Sequence, residues 1–267
     1  VPAEKAPEKG GGEAVTELTI LLPCLNEAAS LPFCIGEAQA FLRESGVCGE
    51  VLVADNGSTD GSRELAASLG ARVVPVARHG YGAALRGGVA AAEGTYVVMA
   101  DSDGSYDLYH LGPYLDALRS GAELVVGDRF RGGFEPGASP WSHRRVGVPV
   151  LSALGRLVQR RWGGRGGALV HDFHCGLRGV RRESFLRLGA EADGMEFASE
   201  MIVLATRAKQ RIVQLPAVLR PDRRPGKPHL RPVRDGFRHL GALLRLGARG
   251  EIENANTQPE IRKGRNI

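Results

Sequence analysis

Asp101 and Asp103 stand two apart at the end of a short apolar run, Tyr96-Val97-Val98-Met99-Ala100. Runs of this length rich in β-branched residues read as buried strands of a parallel sheet. Open α/β sheets bind ligands beyond the carboxyl ends of their strands. In extended backbone, residues two apart face the same way at roughly 6–7 Å. Two carboxylates so placed call for a cation between them or a proton on one. A hard divalent ion, Mg²⁺ or Mn²⁺, shared with a phosphate group is the usual remedy. The same triplet also occurs in solvated turns, so its meaning rests on what flanks it.

The flanking sequence alternates strand and helix. Residues 18–22 form an apolar strand closed by Pro23; a helix follows Asn26, with Leu31, Ile35, Ala38 and Leu42 on one face and Gly46 ending it. Residues 50–55 are a second strand ending in Asp55, 56–61 a turn, 62–69 a short helix, 72–76 a third strand and 81–93 a small-residue helix. Three alternations predict a doubly wound, mostly parallel sheet with helices on both faces. Its strand tips at 23–27, 55–57 and 101–103 would then meet on one edge as a single polar site. Asp55 has two readings there: it accepts hydrogen bonds from a base or ribose, or it caps the turn 56–61. Asp60 reads as a helix cap.

The second half predicts a helix at 111–120, a strand at 123–127 ending at Asp128-Arg129, and a mobile Gly/Pro/Arg-rich loop at 131–145. A helix at 150–162, a Gly-rich break at 163–167 and a strand at 173–180 come next. A helix at 196–209, a strand at 211–219 and a basic loop at 220–230 complete the pattern. The domain plan is a disordered leader at 1–16, one domain at 17–232, an amphipathic helix at 233–249 and a polar tail at 250–267.

A chain of 267 residues suffices for one large α/β domain, and 43% hydrophobic with 24% charged residues is ordinary for a globular protein. A net charge of +5 is too mild to argue for nucleic acid. Arginine is concentrated after residue 129, which suits an acidic ligand or an anionic membrane surface. Four cysteines without C-x-x-C spacing read as reduced thiols of a cytoplasmic protein. No signal peptide is visible, and no apolar run approaches the roughly 20 residues that cross a bilayer. The expected location is cytoplasmic, with peripheral contact at the inner face of the plasma membrane.

Seven short motifs in order carry a resemblance to a known family: Leu-Pro-Cys-Leu-Asn-Glu (22–27), Val-Ala-Asp-Asn-Gly-Ser-Thr-Asp-Gly (53–61), Ala-Asp-Ser-Asp (100–103), Gly-Asp-Arg (127–129), Cys-Gly-Leu-Arg-Gly-Val-Arg-Arg (175–182), Gly-Met-Glu-Phe-Ala-Ser-Glu-Met (194–201) and Arg-Asp-Gly-Phe-Arg-His-Leu (234–240). Together the pieces resemble the family-2 glycosyltransferases of the GT-A fold. The branch they are most similar to is typified by dolichol-phosphate mannose synthase and the polyprenyl-phosphate glycosyltransferases. The resemblance implies that Pro23, Leu25, Asn26, Glu27 and Asp55, with Asp101 and Ser102, hold the nucleotide of a nucleotide-sugar donor. It implies Asp101 and Asp103 as ligands of Mg²⁺ or Mn²⁺, with Asp103, Arg129 and Arg223 catalytic and the two arginines facing the phosphates. Family loops usually read Asp-Arg-x-x-Gly-x-Ser-Lys-Leu, and the stretch 222–230 departs from this with Pro228-His229 in place of Ser-Lys, leaving Lys227 as a substitute cation. Many relatives also carry membrane-spanning helices after the catalytic domain, and no such run is present here.

The expected reaction is an inverting, metal-dependent transfer of a hexose, from a donor of the GDP-mannose or UDP-glucose type to a polyprenyl phosphate. A lipid phosphate is already ionised and needs no base, because its second pKa is about 6. An alternative keeps the donor but uses a soluble hydroxyl acceptor, such as a secondary metabolite. That reaction needs a general base, for which Glu200, or Glu196 one turn earlier, is the candidate; both also suit the plainer role of arginine partners. The alternative from another class is a non-catalytic nucleotide-sugar binding module, which would not require the metal pair.

Overall fold

The computed structural model of the protein describes residues 15–138, 147–163 and 169–224, together with 238, 241, 242, 244 and 245. Along the first half, β1 (Leu18–Cys24), α1 (Leu31–Ser45), β2 (Gly49–Asp55), α2 (Ser62–Ser68), β3 (Arg72–Pro75), α3 (Tyr81–Ala91) and β4 (Tyr96–Met99) alternate as expected. There follow α4 (Gly112–Arg119), β5 (Leu124–Asp128), the single turn α5 (Arg129–Gly132), α6 (Val148–Gly163), β6 (Arg178–Arg181), α7 (Arg182–Leu186), α8 (Phe197–Arg207) and β7 (Ile212–Pro216). The expected leader and tail, the loop residues 139–146, the Gly-rich break after 163 and most of the helix at 233–249 lie outside the described residues.

The seven strands run in the order β3-β2-β1-β4-β6-β5-β7. All neighbours pair in parallel except β6, which is antiparallel to both β4 and β5. The carboxyl ends of β1, β2, β4 and β5 therefore share one edge. Register brings Cys24 level with Asp55, so β1 and β2 end together, and Leu21 level with Met99, so the residues that follow β4 run beside β1's last three.

Each strand is buried on both sides, as continuous apolar runs require. Ile20, Leu22, Val51, Val53 and Val98 face α1, α2 and α4. Their neighbours Leu21, Leu52, Ala54, Val97 and Met99 face α3, α7 and α8. Gly46 ends α1 in the left-handed region at φ 67°, where a residue without Cβ meets no steric penalty. Of the expected apolar face, Leu42 is only half-buried, and Phe41 takes the buried place.

The expected strand at 173–180 is corrected: only Arg178–Arg181 pairs, and residues 172–177 form a loop at the carboxyl edge. Phe173 is buried like a strand residue, which explains its apolar signature. Ladder bonds are replaced there by one side chain. The buried Arg178 guanidinium donates to the carbonyls of Phe173 (2.7 Å), Cys175 (2.8 Å) and Ala198 (2.7 Å).

Leu21 packs where α3 crosses the sheet, and a Cβ at Gly88 would lie 2.3 Å from its Cδ1. Leu21→Ala would open a cavity under that helix and should cost about 2–5 kcal/mol of stability. The measurement is a denaturant midpoint at unchanged slope.

Candidate active site

The rim begins where the turns after β1 and β2 are stitched together. Asn26, in the left-handed region at φ 58°, donates its N–H to Ser58 Oγ (2.9 Å), and its side-chain oxygen accepts from Thr59 N (2.8 Å). Glu27 N donates to Ser62 Oγ (2.9 Å) and Ala28 N to Asp60 Oδ2 (3.0 Å). Asp60 also accepts from Ser62 N, so it ties both turns together ahead of α2. Across the rim, Ser102 Oγ donates to the Pro23 carbonyl and fixes β4's tip against β1's. Leu25 is 41% exposed, an apolar side chain held outward in a polar setting.

The structure shows Asp55 in its capping role. Its carboxylate is buried and accepts from Gly57 N (3.1 Å) and Ser58 N (3.2 Å), with Arg63 Nε at 3.7 Å. The turn it holds is the one that Asn26 and Glu27 lean on.

Asp101 lies beside this rim. Tyr81 OH, from the first residue of α3, donates to its Oδ1 (2.8 Å). A Cβ on Gly176 would come within 2.3 Å of its Oδ2, so only glycine lets the 172–177 loop pass this close. Burial, then the neighbouring Asp103 charge, pushes the Asp101 carboxyl up to about 6, while the Tyr81 hydrogen bond opposes the shift. Asp103 accepts from Ser105 N (2.9 Å) through Oδ1, and Arg224 Nη2 lies 3.4 Å from Oδ2.

Arg224 was not singled out in the sequence, where Arg223 and Lys227 represent the basic loop. The backbone explains the difference. Arg220 N donates to the Ser105 carbonyl and Arg223 N to the Asp103 carbonyl, each at 2.8 Å, so the segment after β7 lies as a strap along the 103–105 loop. That pins the Arg223 guanidinium over the Phe33 ring, 3.7 Å from its centroid. The next side chain, Arg224, turns inward to Glu27 Oε1 (3.1 Å), Asp103 and Asp222. Burial raises the Glu27 carboxyl above the usual carboxylate range, and Arg224 partly offsets this. Lys227 and Pro228-His229 lie outside the described residues.

Two expected catalytic residues are turned to other partners. Arg129 begins α5 and engages the fully buried Asp172 through Nε (2.7 Å) and Nη2 (2.8 Å). Its charge is near Asp101, whose pKa it lowers, but the guanidinium is held by Asp172. Glu200 Oε2 accepts from Glu191 N (3.1 Å) and Ala192 N (2.8 Å), which makes Glu200 an anchor for the loop before α8. Tyr81 and Asp172 are the other contributors the sequence did not single out, and neither sits in a spacing pattern that would mark it.

Two half-buried carboxylates, one with its pKa raised, fit a hard dication that keeps water and takes phosphate as further ligands. Among the described residues no cluster of three or more His, Cys, Asp or Glu side chains is arranged to hold a metal. The remaining ligands would therefore come with the substrate. No helix among the described residues is long and apolar enough to cross a membrane.

Comparison with known proteins agrees with this geometry. The model of the family described as Glycosyl transferase family 2 matches residues 19–189. The chain is 36% identical over 228 residues to the low-salt glycan biosynthesis hexosyltransferase Agl6 of Haloferax volcanii, covering 85% of this chain and 53% of that protein. It thus spans about half the length of that relative. It is 32% identical over 211 residues to the polyprenol monophosphomannose synthase of Mycolicibacterium smegmatis, covering 72% and 73% of the two chains. Among solved structures it resembles glucosyl-3-phosphoglycerate synthase from Mycobacterium tuberculosis, in complex with Mn²⁺, UDP and phosphoglyceric acid, at a TM-score of 0.61 and 23% identity, covering 87% and 79%.

Because a proton and a cation compete for Asp101, Mn²⁺ affinity should fall as pH drops through about 6. A raised folded-state pKa also means that the metal-free protein is stabilised by protonation and loses that stability as pH rises through about 6. Added Mn²⁺ should restore it. Tyr81→Phe removes a bond that favours the ionised form, so the fall in Mn²⁺ affinity should move to higher pH. Calorimetric Mn²⁺ titrations from roughly pH 5 to 8 check both; a flat wild-type profile would contradict the assignment.

Proposed function

The chain belongs to glycosyltransferase family 2, with the GT-A fold expected from its motifs, and we propose that it moves a hexose from a nucleoside-diphosphate sugar to a polyprenyl phosphate, inverting the anomeric carbon. The observation that carries this reading is the Asp101–Asp103 pair at β4's tip with the Arg224 guanidinium beside it. The polyprenol monophosphomannose synthase among its relatives supports the acceptor class, and the Mn²⁺- and UDP-bound neighbour supports a metal and a nucleotide.

In this reading the stitched rim 23–27 and 55–62 receives the nucleoside, with Leu25 against the base. Asp101 and Asp103 hold Mg²⁺ or Mn²⁺, which when bound supplies a Lewis acid and an orienting template for the departing diphosphate. Arg224 balances Asp103 beforehand. On donor binding its guanidinium is freed for phosphate oxygens, which it can grip bidentately. Arg223 stays on Phe33 and keeps the strap in place. Arg129, held by Asp172, acts through its field.

The ionised lipid phosphate attacks in line without a base. Glu200 supports this, because its Oε2 already takes two backbone N–H groups. The arginines of the second half, with the helix at 233–249, would keep the protein at an anionic cytoplasmic membrane surface; most of that helix lies outside the described residues.

The direct test supplies purified protein with Mn²⁺, labelled UDP-glucose or GDP-mannose, and either polyprenyl phosphate or soluble hydroxyl acceptors. Transfer that persists in EDTA, or that prefers a hydroxyl acceptor, would count against the reading. Asp103→Ala should abolish metal-dependent transfer. Arg224→Ala should act in two directions: Mn²⁺ binds more tightly without nucleotide, because a competing cation is gone, while turnover falls roughly 10²-fold, the scale of one lost transition-state donor.

A further inference from the structure

Among the described residues of the α8 region, Glu196 carries a buried carboxylate oxygen that no hydrogen bond satisfies. It precedes Phe197 at the helix start and is 9% exposed. Its Oε1 accepts from Arg238 Nη2 at 3.0 Å, and its Oε2 is buried with no hydrogen-bond partner among the described residues. A lone oxygen of this kind is costly unless something donates to it. The surroundings look built for the arrangement. A Cβ on Gly194 would stand 2.5 Å from Glu196 Oε2 and 2.6 Å from Arg238 Nη2, so a larger residue there would displace one side chain or the other.

Two neighbours of Asp101 flank this corner. Tyr81 donates to Asp101, and a Cβ on the next residue, Gly82, would lie 2.6 Å from Phe197 Cβ and 3.0 Å from the Gly194 carbonyl. On the other side Ser199 Oγ meets His174 Nε2 at 3.5 Å, two residues before the Gly176 that abuts Asp101. Glu196 therefore borders the Asp101 corner from the side of α3's first turn and the 172–177 loop. A sugar attached to a diphosphate held at Asp101 and Asp103 would have this corner beside it.

We infer that Glu196 accepts a hydrogen bond from a hydroxyl of the transferred hexose through Oε2, with Arg238 as the positioning residue that holds its carboxylate in place through Oε1. A hydroxyl fits where a phosphate does not, because a second anion beside Glu196 would be repelled. Four residues on, Glu200 lacks this capacity because its Oε2 is taken by the backbone. The inference rests on the nucleotide-sugar reading and names the part of the site that would sense the sugar.

Calorimetry in Mn²⁺ separates sugar recognition from nucleotide recognition. UDP, UDP-glucose, GDP and GDP-mannose are titrated into the wild type, Glu196→Gln, Glu196→Ala, Arg238→Ala and Arg238→Lys. The free diphosphate should bind all five proteins alike, within about twofold. The matching nucleotide sugar should lose roughly tenfold or more in Glu196→Ala, the scale of a hydrogen bond to a charged group. Arg238→Ala should lose less, and Arg238→Lys should recover it. Glu196→Gln is nearly isosteric, so its circular dichroism guards against a folding defect. Parallel weakening of sugar and diphosphate would mean a structural role, and no change in either would mean that water satisfies Oε2; both overturn the inference. A wild type that binds no diphosphate at all would instead sink the nucleotide-sugar reading, and this inference with it.

Discussion

The charge on Asp101 and Asp103 at the tip of β4 constrains how the carboxyl edge of this sheet can be built. Ionised together and partly buried, they raise each other's energy, and the rise shows in Asp101, pushed up to about 6. The chain answers locally. Tyr81 supplies a hydroxyl to one carboxylate, Ser105 N supports the other, and Arg224 brings a full charge from a strap that begins after β7. None of these removes the repulsion, and together they leave a site that a divalent ion would stabilise further.

Topology determines what can reach the pair. In an all-parallel sheet the strand beside β4 would enter from the far edge and only end near the aspartates. β6 runs antiparallel, so its entry loop, 172–177, lies directly at the carboxyl edge. That places Gly176 against Asp101 and Asp172 under Arg129. A loop this deep leaves backbone carbonyls away from water, and the Arg178 guanidinium takes two of them together with that of Ala198 in α8. The buried cation thus joins the loop beside Asp101 to the helix whose N-cap residue is Glu196.

Most of the fold was legible because its signals are periodic and local. Apolar runs fix β1, β2, β4 and β5, Gly46 stops α1 where expected, and the polar strand ends do share an edge. The error at 173–180 has a physical source: burial makes Phe173, Cys175 and Leu177 look like a strand, while hydrogen bonding, which defines one, is supplied there by a distant side chain. Asp55 illustrates the same limit. A carboxylate before Asn-Gly-Ser suits both a ligand and a turn, and only the directions of the Gly57 and Ser58 N–H groups reveal that it caps the turn.

The same reasoning accounts for the offsets among neighbours of like type. Arg223 and Arg224 are adjacent in sequence, yet one backbone bond, Arg223 N to the Asp103 carbonyl, decides which guanidinium stacks on Phe33 and which reaches Asp103. Glu196 and Glu200 share a helical face, yet the loop at 191–192 folds back onto only one of them. Residue type and spacing identify the chemistry a segment can offer. Which member offers it depends on hydrogen bonds made by backbone far away in sequence: 120 positions separate Asp103 from the strap residue Arg223 that selects its cation. A site assembled from strand tips is therefore read first as a set of candidates, and the long-range backbone contacts choose among them.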